Sequence, residues 1–236
     1  KVIKHTVDYA KLRIPIIAGT GANCTAEALE LTQESKNLGA DFALIVTPYY
    51  NKPSQKGLIS HYTKIADNVD IPQILYNVPT RTACDLIPAS VDVLAKIPNI
   101  VGIKEAVDET KRINALIEIS KKHEAFSIYS GDDPTFYNSL TLGSSGVISV
   151  AANIIPRSIS KICELAFDED WSNANDLNYV YKELYRMLFV QSNPIPVKWM
   201  MYKKKLISDI IRLPLTSLDK KYHEDILSEM LKLGIL

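Results

Sequence analysis

Six short apolar runs recur at nearly constant spacing, over residues 14–19, 42–47, 71–77, 100–105, 126–131 and 146–149. Their starts lie 28, 29, 29, 26 and 20 positions apart, the length of a strand plus a crossover helix. The runs are nearly continuous in Ile, Val and Leu and do not alternate with polar residues. Such strands are covered on both faces, as in parallel sheets. The stretches between them read as helices. Thr25 is placed to cap a helix over 26–38 with Gly39 as its stop. Ser54 is placed to cap one with Leu58, Tyr62, Ile65 and Ala66 on a single face. Asp108 is placed to open a third over 109–122, with Ile113, Leu116 and Ile117 as its apolar stripe. The order is βα repeated six times, hence an α/β fold with a parallel sheet.

Beyond residue 149 the pattern is helical only, over 154–167, 173–190, 194–206 and 220–233. The expected division is a β/α part over 1–168 and a C-terminal helical domain over 169–236. Two architectures accommodate six βα units. A doubly wound open sheet binding a nucleotide predicts a glycine-rich phosphate turn, but Gly19-Thr-Gly21-Ala has no third glycine. An eight-stranded barrel would need two more units. Residues 1–10 read as the tail of a helix, with Val2, Ile3, Thr6 and Val7 along one side. A helix there implies a strand before it, and the expectation is a barrel lacking its first two units.

Charge and composition remove several classes of function. Lys and Arg number 27 against 27 Asp and Glu, so there is no basic stripe for nucleic acid. The longest apolar stretches are about half a membrane span. Cys24, Cys84 and Cys163 are far apart, and His5, His61, His123 and His223 show no ligand spacing. Neither disulfide framework, metal site nor metal cofactor is expected, and the reading is a reducing, cytoplasmic compartment.

In a β/α barrel, side chains at the C-terminal ends of the strands face the active site. Those ends carry Thr47-Pro-Tyr-Tyr-Asn51, Tyr76-Asn-Val-Pro-Thr-Arg81, Lys104-Glu105, Ser130-Gly-Asp-Asp133 and Ile148-Ser149. One amine, several phenols and a guanidinium suit carbonyl chemistry. Lys104 closes an apolar run, and burial there would disfavour its ammonium. Bringing a lysine from its reference value of about 10.4 to near neutrality corresponds to about 4 kcal/mol. The alternative is a lysine paired with Glu105. Tyr76 ends the preceding strand, where its phenol can approach the amine and shuttle protons, or simply pack its ring. Arg81 lies on the loop beyond, where it could fork onto a carboxylate or face solvent.

The collinear series Thr47-Pro-Tyr-Tyr-Asn51, Tyr76-Asn-Val-Pro-Thr-Arg-Thr82, Gly102-Ile-Lys-Glu-Ala106, Ser130-Gly-Asp-Asp133, Gly146-Val-Ile-Ser149 and Asn193-Pro-Ile-Pro-Val-Lys-Trp199 resembles the dihydrodipicolinate synthases, of the pyruvate-dependent class I aldolase superfamily. The resemblance implies a (β/α)₈ TIM barrel with a C-terminal helical domain. It implies that Lys104 forms an imine with pyruvate, whose enamine attacks L-aspartate-4-semialdehyde on the diaminopimelate route to lysine, without metal or nucleotide. Tyr76 matches the family's proton relay, and Tyr50 matches a tyrosine delivered into that relay from a neighbouring subunit. Arg81 matches the residue that binds the semialdehyde carboxylate, and Ile148 and Gly131 match backbone positions lining the pyruvate site.

Gly21, Asn23, Glu27 and Tyr49 match positions where lysine-inhibited members bind L-lysine, at the tight interface of a homotetramer built from dimers. The family's Gly-Thr-Thr-Gly-Glu segment has no counterpart here, which accords with the expected loss of two units. N-acetylneuraminate lyases and sugar-acid aldolases, which share Tyr and Lys, are the alternative within the superfamily; Arg81 favours the synthases. A non-catalytic barrel relative is the alternative outside it.

Overall fold

The first helix, α1 (Val2–Ala10), ends where Lys11 and Leu12 take positive φ angles. Strand formation is then delayed. Pro15 has no N–H to give a ladder, and the Ile16 N–H donates instead to the Asp41 carboxylate at 2.7 Å. Strand β1 is therefore Ile17–Gly19 and does not begin at residue 14. The computed structural model describes all residues, Lys1–Leu236, in two compact units: 1–131 with 142–145, and 132–141 with 146–236.

The first unit continues with α2 (Thr25–Asn37), β2 (Phe42–Val46), α3 (Gln55–Asn68), β3 (Gln73–Asn77), α4 (Pro79–Thr82), α5 (Pro88–Leu94), β4 (Ile100–Glu105), α6 (Thr110–Lys122) and β5 (Ser127–Ser130). Its strands pair in parallel and in chain order from β1 to β5. The register lines up Val46, Tyr76, Lys104 and Tyr129 across four strands. Asn77, Glu105 and Ser130 form the next row. Ile45, Leu75, Ile103 and Ile128 bury one side of these strands against Leu58, Tyr62, Ile65, Leu94 and Leu116 of the helices. The Tyr62 hydroxyl donates to the Ile45 carbonyl at 3.1 Å, so even this buried ring has its polar end satisfied.

Of the expected caps, Ser54 accepts from the Gly57 N–H at 3.2 Å as read. Thr25 does not cap α2. Cys24 holds the N-cap position, and the Thr25 hydroxyl lies 2.9 Å from His61 Nδ1 on α3. Asp108 stays outside α6, whose N-cap position is Glu109. The short α4 and α5, each led by a proline, escaped the periodicity because they are too brief to show a stripe.

The second unit contains α7 (Phe136–Thr141), β6 (Gly146–Val147), α8 (Pro156–Phe167), α9 (Trp171–Val180), α10 (Lys182–Met187), α11 (Ile195–Lys203) and α12 (His223–Lys232). The single helix expected over 173–190 is broken at Tyr181, whose φ of -100° and ψ of 5° leave the helical range. It also starts earlier, because Asp170 accepts from Asn173 N–H and caps it. Phe136, Ile162, Tyr185, Trp199 and Met200 form this unit's core. No helix in the chain is long and apolar enough to cross a membrane.

Candidate active site

Lys104 and Tyr76 are register partners near the C-terminal ends of β4 and β3. Residues that share a row on adjacent strands project to the same face, so the two side chains meet. The Lys104 Nζ lies over the Tyr76 ring, 4.2 Å from its centre. Both residues are half-buried. Burial pushes the Tyr76 phenol above its ordinary value, and the Arg81 charge opposes that rise. The sequence reading anticipated the pairing; the contact is with the ring face. On the other side of Lys104 the register partner is Tyr129.

Glu105, which the alternative reading paired with Lys104, takes its hydrogen bonds from other residues. Its carboxylate is fully buried and accepts from Arg112 Nε at 2.9 Å, from the Val107 N–H at 2.9 Å and from Asn77 Nδ2 at 3.1 Å. Burial pushes its pKa up, and the Arg112 charge and these hydrogen bonds pull against that. Arg112 also forks onto Asp85 and donates to the Leu86 carbonyl at 2.9 Å. Asn77, Asp85 and Arg112 were missed by the sequence reading. A signal existed: strand alternation places residue 105 on the face opposite Lys104, among the helices, and a buried glutamate there requires a cation.

A cavity of about 360 Å³ is lined by Tyr76, Arg81, Tyr49 and Gly21, together with Leu44, Val46 and Thr82. Of the residues read as catalytic, substrate-binding and allosteric, Tyr76, Arg81, and Gly21 with Tyr49 therefore line one cavity, and Lys104 is not among its lining residues. Gly21 is required there by close approach, since a Cβ would stand 2.5 Å from the Val46 backbone nitrogen. Asn23 sits beside it, its carbonyl accepting from Asn51 Nδ2 at 2.8 Å. Glu27 is exposed in the first turn of α2 and does not line the cavity.

Tyr50 is not brought to the pair. Its residue is 88% exposed, at the centre of a three-residue turn in which the Asn51 N–H donates to the Tyr49 carbonyl at 3.0 Å. The φ of 74° there is costly for a non-glycine residue.

Gly131, just past β5, closes in on the amine from another side. A Cβ on it would lie 3.0 Å from Lys104 Cε and 3.2 Å from the Ala106 Cβ. Ile148 belongs to the second unit, directly after β6. In that unit the buried Asp133 carboxylate accepts from the Ser149 hydroxyl and from the Val150 and Ala151 N–H groups at 2.9 and 3.1 Å. It thereby clamps the segment that follows Ile148. Burial raises its pKa against these bonds. No group of three or more His, Cys, Asp or Glu residues is arranged to hold a metal ion.

The model of the dihydrodipicolinate synthetase family matches residues 1–232. The chain is 48% identical over 236 residues to the 4-hydroxy-tetrahydrodipicolinate synthase of Stutzerimonas stutzeri (strain A1501), covering 100% of this chain and 80% of that protein. Among solved structures it is similar to the chloride-inhibited dihydrodipicolinate synthase of Acinetobacter baumannii complexed with pyruvate. That match has a TM-score of 0.96 and 50% identity, over 100% of this chain and 80% of that one. The enzyme of Cyanidioschyzon merolae with lysine bound matches with a TM-score of 0.91 and 35% identity, over 98% and 78% of the two chains.

Proposed function

Since the chain belongs to the dihydrodipicolinate synthetase family, lyases of the class I aldolase type, we propose that it condenses pyruvate with L-aspartate-4-semialdehyde to give 4-hydroxy-tetrahydrodipicolinate. The observation that carries this reading is the Lys104 amine seated on the Tyr76 ring at the ends of adjacent parallel strands. The neutral amine adds to the pyruvate carbonyl, and the carbinolamine loses water to give an imine. Loss of a methyl proton gives the enamine, which forms the carbon–carbon bond to the aldehyde. The amino group of the semialdehyde portion then adds to the imine carbon and displaces the Lys104 amine, which closes the ring and frees the lysine. The chemistry runs on the amine and calls for no metal or nucleotide.

Tyr76 moves protons during addition and dehydration, a role supported by its half-buried phenol. Arg81 holds the semialdehyde carboxylate, supported by its place on the same cavity wall as Tyr76. The presence of an arginine at this point of the sequence favours the synthase over a sugar-acid lyase. Gly131 lines the pyruvate beside Lys104. Tyr50 serves a neighbouring subunit within a homotetramer, which accounts for an exposed tyrosine held on a strained turn. L-lysine binds at Gly21, Asn23, Glu27 and Tyr49, as the lysine-bound relative suggests. The cytoplasm is the expected compartment, in keeping with three free cysteines.

Borohydride reduction in the presence of pyruvate, followed by peptide mass mapping, tests the reading. A pyruvate adduct on Lys104, absent from Lys104→Arg, supports it. A folded chain that gives no adduct overturns it.

A further inference from the structure

We propose that the cluster of Asn77, Glu105, Arg112 and Asp85 is a positioning device that sets Tyr76 against Lys104. The inference rests on the assignment of Lys104 as the imine-forming amine. Asn77 and Glu105 directly follow Tyr76 and Lys104, and they are themselves register partners. Successive side chains alternate across a sheet, so the reacting pair lies on one face and its neighbours on the other. Whatever fixes the second pair fixes the first.

The cluster does this with bonds from four pieces of chain. The Asn77 amide nitrogen bridges Glu105 and Asp85, at 3.1 and 2.9 Å, while its oxygen accepts from the Leu86 N–H at 2.9 Å. Arg112, reaching from α6, holds Glu105 and Asp85 together. The ends of β3 and β4, the start of α6 and the segment after Arg81 are thus locked through one guanidinium and one buried carboxylate. Replacing a buried ion pair by apolar groups is often neutral or stabilising, so such a pair is better explained by specificity of geometry than by stability. Misplacement by about 1 Å costs about 10²-fold in a positioned reaction.

Glu105→Gln keeps the shape but turns an NH₂ group toward donors on Asn77 or Arg112. The expected result is a rate of imine formation about tenfold lower, with the half-saturating pyruvate concentration changed less than about twofold. The decisive readout is the same substitution in a Tyr76→Phe background, where the further loss is expected to be under about twofold. A structural role alone would slow both backgrounds equally, and that outcome overturns the proposal, as does an unchanged rate in folded Glu105→Gln.

Asn77→Ser, which leaves Glu105 and Arg112 paired and removes the Asn77 side-chain bonds to Glu105, Asp85 and Leu86, replaces Glu105→Gln should that variant fail to fold. A substrate-free arm separates the two readings. Trace acetylation of Lys104 by acetic anhydride, mapped by mass, is expected to change about threefold with Glu105→Gln and not in a Tyr76→Leu background, where the ring that holds the amine is gone. Absence of a pyruvate adduct in the unmodified chain would sink the catalytic assignment, and the acetylation ratios alone would then decide the positioning role.

Discussion

Tyr76 and Lys104 are register partners on neighbouring parallel strands, and the amine of one rests 4.2 Å from the ring centre of the other. A ring face attracts an ammonium by about 0.5–2 kcal/mol, so the resting contact and the reactive neutral amine make different demands on Tyr76. Tyr76→Phe keeps the ring and removes only the hydroxyl. Adduct formation with pyruvate is expected to slow by about 10²-fold while Lys104 stays in place. Rapid-quench borohydride trapping checks this; a rate within threefold or so of the unmodified chain would remove Tyr76 from the proton path.

Two glycines, one within β4 and one just past β5, separate chemistry from stability. On Gly131 a Cβ would stand 3.0 Å from Lys104 Cε, the movable end of a side chain. The same Cβ would also stand 3.2 Å from the Ala106 Cβ and from the Glu105 carbonyl oxygen, so Gly131→Ala should displace the amine by a few tenths of an ångström and slow trapping about tenfold, with a smaller fall in melting temperature than Gly102→Ala. On Gly102 a Cβ would stand 2.6 Å from the Ser127 carbonyl oxygen, in the backbone of its register partner. Gly102→Ala must spread β4 from β5 and is expected to cost about 1–3 kcal/mol, a fall in melting temperature of several degrees. Thermal melts and trapping rates measured on both variants should cross over in this way.

Arg81 acts on Tyr76 as well as on a substrate. Its charge opposes the upward push that burial gives the phenol. Arg81→Met removes that opposition, so the phenol rises further and holds its proton to higher pH. The alkaline limb of the trapping rate is expected to move to higher pH in Arg81→Met and to stay near its place in Arg81→Lys. The half-saturating concentration of semialdehyde should rise about tenfold or more in Arg81→Met, because a bidentate partner for its carboxylate is lost. A downward shift of the limb would contradict the electrostatic link.

The strand–helix order was legible because each run is continuously apolar and each crossover long enough to hold a helix. The pairing of Tyr76 with Lys104 was legible for a related reason: both close their runs, and consecutive parallel strands lie side by side. What escaped was what lies on the other face. Arg112 reads as an ordinary surface residue of α6 until the burial of Glu105 is known. Thr25 reads as a cap because its hydroxyl sits at a helix start, but the partner it takes, His61, is 36 positions away. The exposed, strained Tyr50 had no local signal at all. Its surroundings in Tyr-Tyr-Asn51 read equally well as a packed strand end.

His61 makes the first unit sensitive to acid. The ring is 4% exposed, edge-on to Tyr62 at 5.1 Å, with Nδ1 against the Thr25 hydroxyl and Nε2 buried without a partner. Burial lowers its pKa to about 4. An unfolded histidine titrates near 6.5, so below that value the unfolded chain takes up a proton that the folded chain refuses. Stability is fully present above about pH 6.5 and is lost as pH falls toward 4, by an amount on the order of 3 kcal/mol. His61→Gln carries no such proton and should lie below the unmodified chain near neutrality while losing less on acidification. Urea midpoints at about pH 7 and about pH 4.5 for both proteins provide the measurement, since the carboxylates common to both cancel in the difference. Parallel declines in the two would show that the ring is charged in the fold and that its burial has no bearing on acid stability.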